Sequence, residues 1–364
     1  MRLLVLLLLS TAAVAQTTSF VEEDLTFDSV EGVSLTATVS VPEGPGPFPG
    51  VVLVSGSGLQ DRDGGPGGGL IPDGLRMYRD LAHSLAGFGI VVLRYDERGM
   101  GDSPRGPDFE NLSFSDLEDD VSAAVDALAA RDDVEWVGIV GHSEGGTLAP
   151  SIANRRDDVD GIVMIGGTAE PGYETILDQN REGIAPLGLA DSVVDSVLVP
   201  LRTLFEMVAE NPDEELSEVE LDRARELFLE SNSRIPAEVA ARIGMTPQAL
   251  EMMANAAVPQ LTAASYRAFL ALDPIPYIEN LDVPALALYL GLDRQVKPTR
   301  SVAPMSAALE ASESPAWQVT TVGGINHVMQ AAETGAFTEY ATLASEIDPT
   351  VADVVANWIR RTAR

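Results

Sequence analysis

A chain of 364 residues can bury one large core or two modest ones. Its 56 acidic residues against 23 Lys and Arg give a net charge of −33, which argues against nucleic acid or an anionic membrane as partner and fits a saline habitat, where screening relieves carboxylate repulsion. There is no cysteine, so disulfides and a lipid-modified cysteine anchor are both excluded.

The chain opens with Arg2, the apolar run 3–9 and the small-residue site Ala13-Val14-Ala15, the pattern of a signal peptide over 1–15. That run is too short to span a bilayer, and no later stretch is apolar for long enough. The expectation is a soluble, exported protein, secreted or periplasmic, whose mature chain starts near Gln16.

Residues 25–29 and 33–41 alternate apolar and polar, as half-buried strands do, and predict an entry hairpin. After a Pro/Gly turn at 43–49 comes the continuous β-branched run Val51 to Val54, which suits a strand covered on both faces. A loop, 55–63, leads to a helix over 77–86 closed by Gly87 and then a strand over 90–95. The loop 96–103 follows, then a helix whose Ser115 and Glu118 have capping-box spacing and whose Leu117, Val121, Ala124, Val125 and Leu128 share one face. Further strands are predicted at 136–140, 161–165, 285–290 and 318–322. Alternation this regular predicts a doubly wound, mostly parallel α/β sheet.

Between 170 and 280 the sequence turns helical and acidic with no convincing strand. It reads as a helical lid inserted between core segments 16–169 and 281–364, above the carboxyl ends of the strands, where open α/β sheets bind ligands. Its carboxylates read as a solvated face. Met245, Met252, Met253, Tyr266 and Phe269 read first as core packing and second as the lining of an acyl pocket.

The chemistry centres on Gly141-His142-Ser143-Glu144-Gly145, a Gly-x-Ser-x-Gly between a predicted strand and a predicted helix. The glycines allow a sharp strand-to-helix turn that exposes Ser143, and the amides at the helix start suit a developing oxyanion. A serine hydroxyl needs a base, and the base an orienting carboxylate. Of the three histidines, His142 adjoins Ser143 and would point away from it, and His83 lies in a sheet-covering helix. His327 remains, in the loop after the last strand. Asp293 follows the strand 285–290 at the same end of the sheet, whereas Asp282 precedes that strand and lies at the wrong end. The oxyanion amides are assigned to Glu144 and to the loop after Val54, most simply Ser57, with Gly58, Leu59 and Gln60 left open. The glycine run at 64–69 lacks the Gly-Lys-Ser/Thr of a phosphate loop, Asp61-x-Asp63 lacks the glutamate of a calcium loop, and no Cys/His cluster offers zinc a site. Neither a metal nor a cofactor is therefore expected.

The segments 55–64, 93–103, 141–146, 291–296 and 324–327 together resemble bacterial α/β-hydrolases of the exported serine esterase type, close to dienelactone-hydrolase-like and acyl-peptidase-like domains. The resemblance covers nearly the whole mature chain. It implies an α/β-hydrolase fold and hydrolysis of a small-molecule carboxylic ester, with Ser143, Asp293 and His327 in the triad roles and in that family's chain order. Identical machinery in peptidases makes amide cleavage the alternative, and a non-catalytic binding module on the same fold comes third. This sequence departs from the pattern at Ser55, where many relatives carry histidine, and at Tyr289-Leu290, where a small polar pair is usual.

Overall fold

The structure, a computed structural model, describes residues 18–65, 72, 74–107, 109 and 112–364. The segment 1–15, expected to be a signal peptide, and most of the glycine run at 64–69 lie outside them. Among the described residues one eight-stranded sheet runs in the order β1-β2-β4-β3-β5-β6-β7-β8. Its strands are β1 (Phe20–Asp28), β2 (Ser34–Pro42), β3 (Phe48–Val54), β4 (Val91–Tyr95), β5 (Val134–His142), β6 (Gly161–Ile165), β7 (Ala285–Leu290) and β8 (Trp317–Val322). β1 and β2 form the expected antiparallel hairpin, β2 pairs antiparallel with β4, and every later pairing is parallel, with Leu53 beside Val140 and Val140 beside Val163.

Strands β3, β6 and β7 are apolar along their length because both faces are covered. Side chains alternate between two cores. Val51 and Leu53 pack with Leu81 and Leu85 of α1 (Met77–Gly87) and with Val355 and Trp358 of α12 (Pro349–Thr362). Val52 and Val54 pack on the other face with α2 (Phe114–Ala129), α3 (Glu144–Ala153) and α11 (Pro298–Ala311).

Two local expectations are corrected. The capping box of α2 is formed by Ser113 and Asp116, because Asp116 accepts from the Ser113 N–H and donates its own N–H to the Ser113 hydroxyl. Ser115 and Glu118 lie inside the helix, where Glu118 is engaged by Ser151 and Arg155. Gly87 is the last residue of α1, and the left-handed turn that ends the helix falls on Gly89, φ +83°.

Between β6 and β7 the chain passes through α4 (Gly172–Ile184), α5 (Asp191–Ala209), α6 (Glu218–Ser233), α7 (Ala237–Arg242), α8 (Pro247–Leu261), α9 (Ala264–Ala271) and α10 (Ile275–Glu279). These helices share a core built on Leu204, Phe205, Leu227, Val258, Phe269 and Leu270. Met252 and Met253, expected in a core or a pocket, lie on the outer face of α8, 71% and 42% exposed, because α8 turns Ala254 and Val258 inward instead. α4 and the residues just before it are tied to the chain after β7 by ion pairs: the sole lysine, Lys297, bridges Asp178 and Glu182 of α4, and Arg300 binds Glu170.

Candidate active site

Ser143 stands between β5 and α3 at φ +54°, ψ −116°, a conformation that a non-glycine residue adopts only where its surroundings enforce it. The enforcement is visible at the flanking glycines. A Cβ on Gly141 would lie 2.1 Å from the Gly145 carbonyl oxygen, and one on Gly145 would lie 2.4 Å from that of Ser55. The Gly145 N–H donates to that Ser55 carbonyl at 3.0 Å and the Ser143 N–H to Ile165 at 2.8 Å, so the elbow is stitched to β3 and β6.

At the same end of the sheet, Asp293 and His327 come from the loops after β7 and β8. Asp293 Oδ2 accepts from His327 Nδ1 at 2.7 Å, while Oδ1 accepts the Gln295 and Val296 N–H groups at 2.7 and 2.8 Å. Both side chains are buried. The Asp293 contact leaves Nε2 of His327 as the nitrogen available to a nucleophile. Gly166, at φ +59°, passes close enough that a Cβ would lie 3.3 Å from Asp293 Oδ2. The His327 loop is braced by buried Asn326 and Gln330, whose side chains bond to each other and whose partners close a short turn. Asp282 is exposed at the opposite end of β7, as the sequence implies.

Ser143, His327, Ser57 and Glu144 line one cavity of about 710 Å³, a volume that suits a small-molecule ligand. Ile176 of α4 and Tyr266 and Phe269 of α9 roof it, so two of the five residues weighed for an acyl pocket do face it. The loop after β3 packs against the nucleophile: a Cβ on Gly56 would lie 3.1 Å from that of Ser143. Among the described residues, no acceptor takes the N–H of Ser57 or Glu144, which leaves both amides free to bind an oxyanion.

His142 does point away from the nucleophile, into a chain of bonds that sequence reasoning missed. The Gly56 N–H donates to the Tyr78 hydroxyl at 2.7 Å, Tyr78 lies 3.2 Å from His142 Nδ1, and His142 Nε2 lies 2.8 Å from the His327 carbonyl oxygen. A carbonyl only accepts, so the His142 proton belongs on Nε2 and Nδ1 accepts from Tyr78. Burial, with His327 nearby, lowers the His142 pKa to about 3 and keeps it neutral in this role. Burial likewise raises the Tyr78 hydroxyl far above its ordinary range. His83 is partly exposed beside Glu22 on α1, remote from these groups. Among the described residues no cluster of His, Asp and Glu could hold a metal. Asp61 instead closes a turn on the Asp63 and Gly65 N–H groups.

Residues 73–226 match the family model described as Hydrolase_4, serine aminopeptidase, S33. The fold matches that of the Pyrococcus furiosus esterase PF2001 with a TM-score of 0.54 at 13% identity, covering 95% of this chain and 92% of that one. The chain has the α/β-hydrolase fold. Est1E of Butyrivibrio proteoclasticus superposes with a TM-score of 0.51 at 13% identity over 93% of this chain and 98% of that one. In sequence the chain is 33% identical over 226 residues to esterase EstD of Thermotoga maritima, covering 62% of this chain and 50% of that one. It is 30% identical over 215 residues to human acyl-coenzyme A thioesterase 1, covering 56% and 44%. The chain thus spans about half the length of the curated relatives it matches.

Proposed function

We propose that this α/β-hydrolase cleaves carboxylic esters through an acyl-enzyme. Ser143 attacks the carbonyl, His327 takes its proton and returns it to the leaving alcohol, Asp293 holds the imidazole in the productive tautomer, and the amides of Ser57 and Glu144 bind the oxyanion. The observation that carries this reading is the buried Asp293–His327 bond of 2.7 Å beside a cavity that also receives a strained, glycine-flanked serine. Relatives named as esterases support it.

The walls favour short to medium, uncharged acyl groups, since Leu59, Ile176, Tyr266 and Phe269 are apolar. Among the described lining residues there is no Lys or Arg, which disfavours a polyanionic coenzyme A leaving group. The description of the matching family model makes a peptidase the second reading. The charge and the segment 1–15 support export as part of the same proposal.

The test is a p-nitrophenyl ester series from acetate to palmitate beside a peptide panel, with Ser143→Ala and His327→Ala as controls. Short esters should be turned over, and both substitutions should abolish that turnover. Peptides cleaved faster than any ester would reverse the order of the two readings.

A further inference from the structure

The loop that carries Ser57 is held by a side chain that the proposed mechanism does not use. Glu97, in the loop after β4, binds both ends of residues 55–60: its Oε1 is hydrogen-bonded to the Ser55 hydroxyl, and its Oε2 accepts the Gln60 N–H at 3.0 Å. Its own N–H donates back to the Gln60 carbonyl at 3.3 Å. Gln60, only 4% exposed, turns its Nε2 onto the carbonyls of Gly56 and Ser57 at 3.0 and 3.3 Å. In a planar trans peptide the C=O and the next N–H point in opposite directions. Gripping the Gly56 carbonyl therefore turns the Ser57 N–H away from Gln60, on the cavity that Ser143 also lines.

We propose that Glu97 is a positioning residue for ester hydrolysis, one that aims the Ser57 amide at the oxyanion by fixing Ser55 and Gln60. The inference rests on the triad reading and adds a residue to it. The groups that face Glu97 are Tyr78 on α1, Tyr95 on β4, Asp120 on α2 with its partner Arg98, and Glu144 on α3. Arg98 is committed to Asp120 through two bonds of 2.8 Å. Burial raises the Glu97 pKa to about 8, against the opposing effect of its bonds from Ser55 and Gln60. The carboxyl is thus mainly neutral at pH 7 and holds the loop without setting a full negative charge beside an oxyanion. Ionisation above pH 8 introduces that charge.

Glu97→Ala should lower kcat/KM roughly 10- to 100-fold with KM changed less than about threefold, because a misaimed oxyanion donor costs transition-state binding. Inhibition by a trifluoromethyl ketone, whose adduct with Ser143 carries an oxyanion, should weaken by the same factor. Glu97→Gln can accept from the Gln60 N–H and donate to the Ser55 hydroxyl. It should retain activity to within about threefold at pH 7 and hold it above pH 8, where the parent declines. Ser55→Ala, which removes one tie, serves if Glu97→Ala fails to fold, and should lose roughly three- to tenfold in both readouts. Folded variants that keep parental kcat/KM and ketone affinity overturn the proposal, as does an alkaline limb unmoved in Glu97→Gln. A parent that hydrolyses no ester overturns the triad reading itself, which separates the two failures.

Discussion

Replacing Asp293 by asparagine changes one heavy atom and tests the proposed triad. The carboxylate accepts three bonds, two from the backbone amides of Gln295 and Val296 on Oδ1 and one from His327 on Oδ2. An asparagine that kept its oxygen toward the two amides would turn its NH2 to His327 Nδ1 and force the imidazole proton onto Nε2, where it can no longer accept from Ser143. The flipped asparagine would leave two buried amide donors unpaired, at about 1–3 kcal/mol each, so the first orientation wins. The expected loss is about 10³- to 10⁴-fold in kcat, equivalent to roughly 4–5.5 kcal/mol of transition-state stabilisation. Steady-state hydrolysis of p-nitrophenyl butyrate measures kcat, and circular dichroism confirms that the variant is folded. If Asp293→Asn kept more than about a tenth of parental kcat, the tautomer argument would be refuted and Asp293 would be reduced to a loop brace.

Three further outcomes follow from the same geometry. Gly145→Ala puts a methyl 2.4–2.5 Å from the carbonyl oxygens of Ser55 and Val54, and should cost at least about 2 kcal/mol in urea denaturation along with most ester turnover; a stable, active variant would mean that the elbow does not cross β3 there. Since the folded-state pKa of His142 is about 3, only the unfolded chain binds that proton between pH 6.5 and 3, and stability should fall by about 2 kcal/mol between pH 6.5 and 4.5. Glu97, raised to about 8, works the other way and removes stability as pH rises from 4.5 through 8. Melting curves against pH should therefore flatten on the acid side in His142→Asn and on the alkaline side in Glu97→Gln, and parallel shifts without a change of slope would count against both assignments. At a net charge of −33 the melting temperature should rise between 10 mM and 1 M NaCl, as the Debye length shrinks from about 30 to about 3 Å; no upward shift would argue against a saline habitat.

The residues of the proposed triad are each written locally in the sequence, Ser143 by its glycines, Asp293 and His327 by loops that follow buried strands at one end of the sheet, and the structure brings Asp293 and His327 into contact. The same holds for the buried strands, since both-face burial leaves continuous apolar runs such as 51–54 and 285–290. Contacts between distant segments leave no such mark. Tyr78, Gln60 and Glu97 belong to three segments and meet only once β3, β4 and α1 are packed, so nothing in their spacing announces the loop that they hold. The capping box of α2 forms two residues earlier than the sequence suggested, at Ser113 and Asp116, while Glu118 is held by Ser151 and Arg155 from a segment distant in sequence. In the helical insertion the apolar residues of α8 are distributed so evenly that periodicity does not say which face turns inward, and Met252 and Met253 fell on the outer one.

The most direct test of the account is covalent labelling. Incubation with a fluorophosphonate and mass spectrometry of the digested protein should place a single adduct on Ser143, with labelling slowed at least about 100-fold in His327→Ala and absent in Ser143→Ala. An adduct on another residue, or a Ser143→Ala protein that still hydrolyses p-nitrophenyl butyrate at the parental rate, would contradict it.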